Sequence, residues 1–282
     1  MAPQTKKILI MTVRNTTRIF VITLPHAVER QQAIRNRLGE LGLEFEFVEG
    51  VDGRRLDLAT HPNYAPVKRR LFYGRDLSGG EFGCILAHRR VYELMVAHRV
   101  ECALVLEDDA ILTDDLPAVL EALGELQEVW DLVRFLGREK NYRTTRRIAG
   151  LPGTHVSLSR QLGIPGGAYG YLLNLAAAKK MESLTRKNWL AIDTLHGATW
   201  LTGLKTYSVM PSPVLPNDLS PSCIDTQDNN LRWDKSVKLK GWMRLVYPLT
   251  RGAWKFYLNC WSASLKAATL LQDRRLTKQL RR

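Results

Sequence analysis

The sequence predicts an α/β protein with an open, mainly parallel sheet, helices on both faces of that sheet, and a basic helical C-terminal tail. Two observations carry the prediction. Short apolar runs alternate along the chain with segments of helical periodicity. The length of 282 residues, with 45% hydrophobic and 24% charged residues, is typical of one globular domain with an appendage. This composition excludes disordered, collagenous and coiled-coil chains.

The first elements form a βαβ opening. Ile19 to Leu24 is rich in β-branched residues and is followed by Pro25, which predicts a buried strand. Residues 26–43 approximate helical spacing and Gly42 indicates the stop, after which 45–48 reads as a second strand. The polar stretch from 54 to 77 is predicted to be a loop over the sheet edge.

A capping box introduces the next helix, because Ser78 is followed three residues later by Glu81. Cys102 to Leu106 is wholly apolar, as expected of a strand buried on both faces. The alternation then continues with a helix over 115–127, a strand over 132–136, a strand over 167–173 and a helix over 176–184.

The positive charge is concentrated at the C-terminus. The whole chain carries a formal net charge of +13. Leu231 to Arg282 holds 13 Lys and Arg against two Asp, a net +11, so the other 230 residues carry +2. The same 52 residues hold seven of the 23 aromatic residues. Cations among amphipathic aromatics are typical of a segment that lies on an anionic membrane surface.

We therefore expect two units: a body over 1–230 and a membrane-associating tail over 231–282. A solvated basic helix that buries a few aromatics against the body is the alternative for the tail. Nucleic acid is not expected as a partner, since the sequence has no zinc spacing, RNA-recognition motif or helix-turn-helix signal. The apolar run Ile8 to Val13 is too short for a signal peptide, which favours a cytoplasmic protein.

Three consecutive carboxylates, Glu107, Asp108 and Asp109, follow the apolar strand directly. Like charges placed together need a cation. In an extended segment Glu107 and Asp109 would point the same way and could hold one divalent metal, Mn²⁺ or Mg²⁺, at the edge where α/β sheets bind ligands. A solvated turn that caps the next helix is the alternative for these acids.

The order of several segments resembles glycosyltransferase family 25, which includes bacterial lipooligosaccharide galactosyltransferases and collagen galactosyltransferases. The resemblance is strong from Ile19 to about Leu112, weaker from Leu136 to Pro216, and absent from the tail. The segments that carry it are Phe20-Val21-Ile22-Thr23-Leu24, Val51-Asp52-Gly53, Leu77-Ser78-Gly79-Gly80-Glu81-Phe82-Gly83-Cys84 and Leu104-Val105-Leu106-Glu107-Asp108-Asp109.

The resemblance implies a GT-A-like fold, a UDP-sugar donor and a divalent metal held by Glu107 and Asp109. It also implies inversion at the sugar, so a protein group must take the proton of the acceptor hydroxyl. Asp193 is the first candidate for this base, with Glu81 as a second catalytic candidate. Arg30, Asp52, His88 and Asp108 are the candidates for donor binding. The bland alternatives are a capping residue for Glu81, a structural histidine for His88, a helix-face charge for Arg30 and a turn residue for Asp52.

The densest basic patch of the body runs from Arg138 to Arg147. Guanidinium groups bind phosphate and carboxylate well, so we expect Arg143, Arg146 and Arg147 to face an anionic glycolipid acceptor. A mobile solvated loop is the alternative.

The leading hypothesis is an inverting, metal-dependent transferase that moves a hexose, galactose first, from a UDP-sugar to a lipooligosaccharide core at the inner face of the bacterial inner membrane. The absence of a signal peptide and the basic aromatic tail favour this acceptor over collagen. The alternative is a non-catalytic membrane- or nucleic-acid-binding protein on a degenerate transferase scaffold.

Overall fold

The computed structural model describes residues 17–217 and 239–280. Two sheets occur in these residues. The strands of the large sheet are β1 Thr17–Thr23, β2 Glu46–Glu49, β3 Cys102–Glu107, β5 Leu132–Phe135, β6 Thr145–Gly150, β7 Ser157–Gln161, β8 Gly170–Asn174 and β9 Thr206–Met210, and those of the small sheet are β4 Ile111–Leu112 and β10 Val214–Leu215.

The large sheet has the strand order β2-β1-β3-β8-β5-β9-β7-β6. Six of its eight strands run in the same direction, and β7 and β8 run opposite to them. The parallel trio β2, β1 and β3 lies at one edge, so the carboxyl ends of these three strands meet there. This architecture confirms the predicted α/β fold with a mainly parallel sheet.

Helices cover both faces of the sheet. Their bounds are α1 Val28–Glu40, α2 Pro66–Tyr73, α3 Gly79–Ala97, α4 Leu116–Gly124, α5 Glu139–Tyr142, α6 Leu175–Thr185, α7 Ile192–Gly197, α8 Thr199–Thr202, α9 Trp242–Ala268 and α10 Leu270–Leu280. One core lies between the sheet and α1, α4 and α10, and the other between the sheet and α3, α6, α7 and α9.

Strand β3 is buried on both faces of the sheet, as its unbroken apolar run predicted. Leu104 and Leu106 point into the first core, whereas Ala103 and Val105 point into the second. Because successive side chains of a strand face opposite sides, a strand covered by helices on both faces must be apolar at every position.

The predicted loop over 54–77 is wrong in part, since it contains α2. Three of the eight residues of α2 are basic, and the helix forms because Pro66 occupies its first turn and because α9 packs against it. The basic stretch from Arg138 to Arg147 likewise contains α5 and the start of β6. Both elements depend on contacts from distant parts of the chain, which local sequence patterns do not report.

The C-terminal segment is helical, as predicted, and its helices contact the body. Trp254 of α9 is buried, with its ring centroid 5.4 Å from that of Trp189 and 5.2 Å from that of Phe72. Asp273 of α10 is buried and accepts from Arg160 at 2.6 Å.

The predicted boundary at residue 230 lies outside the described residues. Within 17–217 and 239–280, no helix has the length and hydropathy needed to cross a membrane.

Candidate active site

A cleft lies at the carboxyl ends of β1, β2 and β3. Its walls come from the ends of these strands and from the facing sides of α1 and α3. The lining includes Thr23, Arg30, Val51, Cys84, His88, Glu107, Asp108 and Asp109. The cleft therefore brings together five of the residues that the sequence predicted for metal and donor binding: Arg30, His88, Glu107, Asp108 and Asp109. Its position is the usual ligand site of an open α/β sheet.

Glycines bring one wall of the cleft close to the N-terminus of α3. A Cβ on Gly53 would lie 1.8 Å from the carbonyl oxygen of Gly79, and one on Gly83 would lie 2.5 Å from that of Val51. These positions therefore have no room for a side chain. Asp52 begins the short 3₁₀ turn over Gly53–Arg55 and accepts from the Arg54 backbone N–H at 3.1 Å.

Asp52 lies beside the cleft, in an adjoining groove that also includes Gly50 and Arg90. The Arg54 guanidinium donates to both of its carboxylate oxygens. Bonding from Arg54 lowers the pKa of Asp52 to about 2 although partial desolvation acts to raise it. Asp52 is therefore an ionised turn residue whose role toward a donor stays a prediction.

The three consecutive carboxylates divide into two groups. Strand β3 ends at Glu107, so the alternation expected to align Glu107 with Asp109 does not continue past it. Asp108 accepts from the Thr23 hydroxyl at 2.6 Å and lies 3.5 Å from Arg30 Nη1. Asp109 also approaches Arg30, at 3.6 Å. The Arg30 guanidinium thus joins Asp108 and Asp109, whereas Glu107 faces α3.

The three acids are partly buried and have too little positive charge around them to balance their own. Burial, and then the neighbouring Glu107 carboxylate, raise the pKa of Asp109 to about 7, with Arg30 acting against them. Burial also raises the pKa of Asp108, against the hydrogen bond from Thr23. One guanidinium does not balance three carboxylates, so the residues present fit a divalent cation.

Glu107 lies against two side chains of α3. Its Oε1 is 3.5 Å from His88 Nε2 and 3.8 Å from Cys84 Sγ. His88 is almost completely buried, with 1% of its surface exposed, and it still lines the cleft. Cys84 is a contributor that the sequence reasoning missed, although its spacing of four residues from His88 places both on one face of a helix.

Behind His88, four side chains form a buried chain of hydrogen bonds. His88 Nδ1 lies 2.8 Å from the Tyr171 hydroxyl, Tyr171 donates to Tyr92 at 3.1 Å, and the Tyr92 hydroxyl lies 2.8 Å from His196 Nε2. Burial raises the pKa of both tyrosines, so both remain hydroxyl donors. Burial, with Arg134 and His88 nearby, lowers the pKa of His196 well below its ordinary value, so this ring stays neutral.

Sequence reasoning did not find this chain, because its members lie on α3, β8 and α7. The spacing of four between His88 and Tyr92 is the one local signal for it.

Glu81 is fully engaged in holding the N-terminus of α3. Its carboxylate accepts from Arg75 at 2.9 and 3.1 Å and from the Ser78 backbone N–H at 2.9 Å. Burial acts to raise its pKa, but the hydrogen bonds and charge of Arg75, the Ser78 N–H and the charge of Arg69 together lower it. The predicted capping box is present, since Ser78 also accepts from the Glu81 N–H.

Asp193 lies in the first turn of α7, at the same end of the sheet as the cleft. Its Oδ2 accepts from the Gly167 N–H at 3.3 Å, in the loop that leads into β8. The buried Arg134 donates to the carbonyl oxygens of Pro165 at 2.9 Å and Gly167 at 2.6 Å, which fixes that loop. Burial lowers the pKa of Arg134 to about 10, with Asp193 acting to raise it.

Two of the three arginines predicted for the acceptor, Arg146 and Arg147, lie away from the cleft. Arg146 and Arg147 are on β6, the fifth strand from β3 in the sheet, which is about 24 Å away at about 4.8 Å per strand. Arg146 donates to Asp273 at 2.8 Å and so contacts α10, and Arg147 donates to Ser157 at 2.9 Å. Arg143 and Arg147 are exposed.

The fold and the cleft define an α/β protein with an acid-rich ligand site at the carboxyl ends of parallel strands. The family described as glycosyltransferase family 25 (LPS biosynthesis protein) matches residues 16–196. That match spans well over half of the chain, and the chain belongs to glycosyltransferase family 25.

The relatives include proteins named galactosyltransferases and proteins named inactive family members. The chain is 32% identical over 177 residues to a glycosyltransferase 25 family member of Aedes aegypti, which covers 58% of this chain and 27% of that protein. It is 32% identical to the human inactive glycosyltransferase 25 family member 3, covering 62% and 30%. It is 29% identical to procollagen galactosyltransferase 1-B of Xenopus laevis, covering 80% and 40%.

The matched region therefore spans less than half the length of these relatives. Among solved structures, the crystal structure of A197 from STIV is similar with a TM-score of 0.38 and 14% identity, covering 70% of this chain and 82% of that one. That similarity is too low to support an argument.

Proposed function

We propose that this chain is a galactosyltransferase that takes a hexose from a UDP-sugar in the cleft at the ends of β1, β2 and β3. The observation that carries the proposal is the acid-rich cleft of Arg30, Glu107, Asp108 and Asp109 in a member of glycosyltransferase family 25. Galactose is the proposed sugar because several relatives are named procollagen galactosyltransferases. A lipooligosaccharide acceptor is proposed because the family description names LPS biosynthesis.

A divalent metal fits this cleft, and Glu107 and Asp109 are the carboxylates that we propose to hold it. Such a cation neutralises the charge that grows on a diphosphate as the sugar leaves. Around it, Arg30 orients the two aspartates and offers a cationic surface to phosphate. The hydrogen bond from Thr23 fixes the rotamer of Asp108, so that this side chain is already ordered when the donor enters.

The proposed reaction is a direct displacement that inverts the sugar. The acceptor oxygen forms a bond to the anomeric carbon, the bond from that carbon to the diphosphate oxygen breaks, and UDP leaves. We propose that an Asp193 carboxylate oxygen accepts the proton of the acceptor hydroxyl. Glu81 is less suited to that role, since its carboxylate forms an ion pair with the Arg75 guanidinium, whereas the hydrogen bonds to Asp193 come from backbone N–H groups and the Thr194 hydroxyl. It holds α3, and therefore His88 and Cys84, in place.

Exposed arginines are the proposed contact for the anionic parts of a large acceptor. Arg143 and Arg147 are exposed, whereas Arg146 is partly buried against Asp273. An oligosaccharide long enough to reach from the cleft to β6 could contact both exposed groups. Changing Arg143 and Arg147 together to Ala should raise the KM for such an acceptor and leave that for the UDP-sugar unchanged; an unchanged acceptor KM would refute this contact.

Helix α9 supports the proposed contact with an anionic membrane. Leu245, Leu249 and Phe256 recur at helical spacing and are 80%, 75% and 71% exposed, on the side opposite the buried Trp254. The 27 residues of α9 contain four Lys or Arg and no carboxylate. An apolar face beside cations suits a helix that lies in the plane of an anionic lipid surface. Location at the cytoplasmic face of the bacterial inner membrane is part of this proposal.

The experiment that tests the function measures UDP released from a panel of UDP-sugars, with a lipooligosaccharide acceptor, in the presence and absence of Mn²⁺. We expect release from UDP-galactose that requires Mn²⁺ and is lost in Glu107→Ala. Full activity in EDTA would refute the metal. No release from any UDP-sugar would place this chain with its inactive relatives and favour a non-catalytic binding protein.

A further inference from the structure

A buried arginine lies behind the loop that leads into β8. Arg134 belongs to β5, inside the large sheet, and 1% of its surface is exposed. Leu132, two residues earlier on the strand, packs in the core that includes Leu195 of α7, so Arg134 points to the same face of the sheet. A side chain so deeply buried cannot touch a ligand in the cleft, and any role in the reaction must act through other residues of the protein.

The guanidinium of Arg134 donates to three uncharged acceptors. Its Nη2 donates to the carbonyl oxygens of Pro165 at 2.9 Å and Gly167 at 2.6 Å, and its Nη1 donates to Gln161 Oε1 at 3.3 Å. Burying a cation is costly unless an anion lies nearby. Burial lowers the pKa of Arg134, and the Asp193 carboxylate is the first charge that opposes this effect. Asp193 is therefore the anion that offsets the buried charge.

Gly167 connects Arg134 to Asp193. Its carbonyl oxygen accepts from Arg134, and its N–H donates to Asp193 Oδ2 at 3.3 Å. Asp193 Oδ1 accepts from the N–H and the hydroxyl of Thr194, at 2.6 and 3.2 Å. The bonds from Thr194 come from the helix that carries Asp193, whereas the bond from Gly167 fixes the carboxylate relative to the sheet.

The loop beside Asp193 contains two consecutive glycines. Gly167 has a φ of +100°, a conformation that other residues rarely adopt. A Cβ on Gly166 would lie 3.3 Å from Asp193 Oδ2, so the loop backbone and the carboxylate are in close contact. Because glycine has the greatest backbone freedom of any residue, the position of this loop depends on bonds to its carbonyl groups. Arg134 supplies two of these bonds, and Asn141 donates to Gly166 at 3.3 Å.

We propose that Arg134 is a positioning residue for Asp193: its guanidinium holds the 165–167 loop and thereby fixes the Asp193 oxygen that accepts the proton of the acceptor hydroxyl. This inference rests on the proposed function of Asp193 as the base. The planar guanidinium suits the task, since its fixed fork of N–H donors binds two carbonyl groups of one loop at a set spacing. Precise placement matters, because a displacement of about 1 Å can cost about 10²-fold in rate.

The experiment is a double-variant cycle on UDP release by the full chain, with UDP-galactose and a lipooligosaccharide acceptor. Arg134→Met should lower kcat by about 10²-fold in the wild-type background and by less than about twofold in the Asp193→Asn background, because Arg134 acts through Asp193. The KM for the UDP-sugar should not change, since Arg134 does not touch the cleft. Arg134→Lys retains the cation and should recover part of the lost rate.

Arg160→Met is the matched control. Arg160 is also a buried arginine of the large sheet, on β7, but it donates to Asp273 of α10 at 2.6 Å. This change should lower stability and leave kcat near the wild-type value. Equal losses of kcat from Arg134→Met in both backgrounds would overturn the proposal. The same follows if the KM for the UDP-sugar rises in place of a fall in kcat, or if Arg160→Met loses as much kcat as Arg134→Met.

Circular dichroism verifies that the variants fold. If Arg134→Met does not fold, the cycle is made with Arg134→Lys, which should lower kcat by about tenfold in the wild-type background and leave Asp193→Asn unchanged; equal losses would again overturn the proposal.

The proposed function fails separately, since a wild-type protein that releases no UDP is not a transferase. Urea unfolding of the same four proteins then tests the contact. The losses in the free energy of unfolding should be less than additive in the double variant, and additive losses would overturn the link between Arg134 and Asp193.

Discussion

Arg30 lies between two neighbouring carboxylates, with its Nη1 atom 3.5 Å from Asp108 and 3.6 Å from Asp109. This contact joins α1 to the turn that follows β3 and places one cation in a cleft that holds three acids. The arrangement suits the proposed donor, whose diphosphate would bind to these carboxylates together with a divalent metal.

Removing this cation should weaken donor binding. We expect Arg30→Ala to lower the affinity for UDP in the presence of Mn²⁺ by about tenfold, the scale of one lost charged hydrogen bond. Calorimetric titration measures the change. Arg35→Ala on the same helix is the matched control, because Arg35 is exposed and lies over the Phe47 ring. Equal losses in both variants would argue against a local role for Arg30.

The glycine contact beside the cleft should be intolerant of a side chain. A Cβ at Gly53 would overlap the backbone of Gly79, so we expect Gly53→Ala to lower the free energy of unfolding by about 1–3 kcal/mol. Gly39→Ala is the control, since nothing lies within 4 Å of a Cβ there and the site is helical. That change should stabilise the protein by about 0.5–1 kcal/mol. Denaturant unfolding measures both, and an unchanged Gly53→Ala protein would contradict the contact.

Glu81 should contribute to stability in a pH-dependent way. We expect Glu81→Gln to lower the free energy of unfolding at neutral pH by about 1–3 kcal/mol, because Arg75 loses its charged partner. The folded-state pKa of Glu81 is lower than the unfolded value of about 4.3. Its contribution is therefore complete above the unfolded pKa and is lost as the pH falls through the folded pKa.

Urea unfolding of both proteins at neutral and acidic pH checks this dependence, and the difference between them should shrink in acid. A difference that stays constant with pH would contradict the ion pair as its cause, and a loss of activity without a loss of stability would instead support a catalytic Glu81.

Asp193 should affect turnover more than binding. If it accepts the proton of the acceptor, Asp193→Asn should lower kcat by about 10²–10⁴-fold with little change in the KM for the UDP-sugar. Thr194→Ala is the control, because it removes the hydroxyl that donates to Asp193 at 3.2 Å and keeps the carboxylate. Steady-state kinetics of both variants measure these changes. A wild-type kcat in Asp193→Asn would show that Asp193 is not the base.

The exposed face of α9 should bind lipid. We expect Leu249→Glu to weaken sedimentation with anionic liposomes by about tenfold, since an apolar group that enters the lipid interface becomes charged. Ala268→Glu adds the same charge at an exposed position of the same helix, about 100° or more around its axis from Leu245, Leu249 and Phe256, and should have a smaller effect. Both variants should keep the wild-type melting temperature. Equal losses in both variants would indicate that charge alone determines liposome binding. No loss in either variant would refute the proposal that this face of α9 binds the membrane.

Local sequence patterns were sufficient to predict the elements whose burial or helix capping depends on residues of one short segment. The apolar run of β3, the acids that follow it and the Ser78–Glu81 capping box all lie in short segments whose chemistry is visible in the sequence. The structure confirms the strand, the position of the acids at its end and the capping box. Helix α2 was missed because its stability comes from packing against α9, which lies about 180 residues further along the chain.

The same limit applies to the site. The sequence placed Arg30, His88, Glu107, Asp108 and Asp109 together as candidates through family resemblance, and the cleft contains all five. It did not indicate how the three acids divide, because that depends on where β3 ends and on the approach of Arg30 from α1. Nor did it indicate that Asp273 would engage Arg146 across 127 positions of the chain.

The most direct test of the central claim is a calorimetric titration of UDP into the protein with and without a divalent metal, comparing wild type with Glu107→Gln. The proposed site predicts that UDP binds to the wild-type protein only when Mn²⁺ or another divalent ion is present, and that Glu107→Gln abolishes this binding while the variant stays folded. Binding of UDP that is equally tight in EDTA, or that survives in Glu107→Gln, would contradict it.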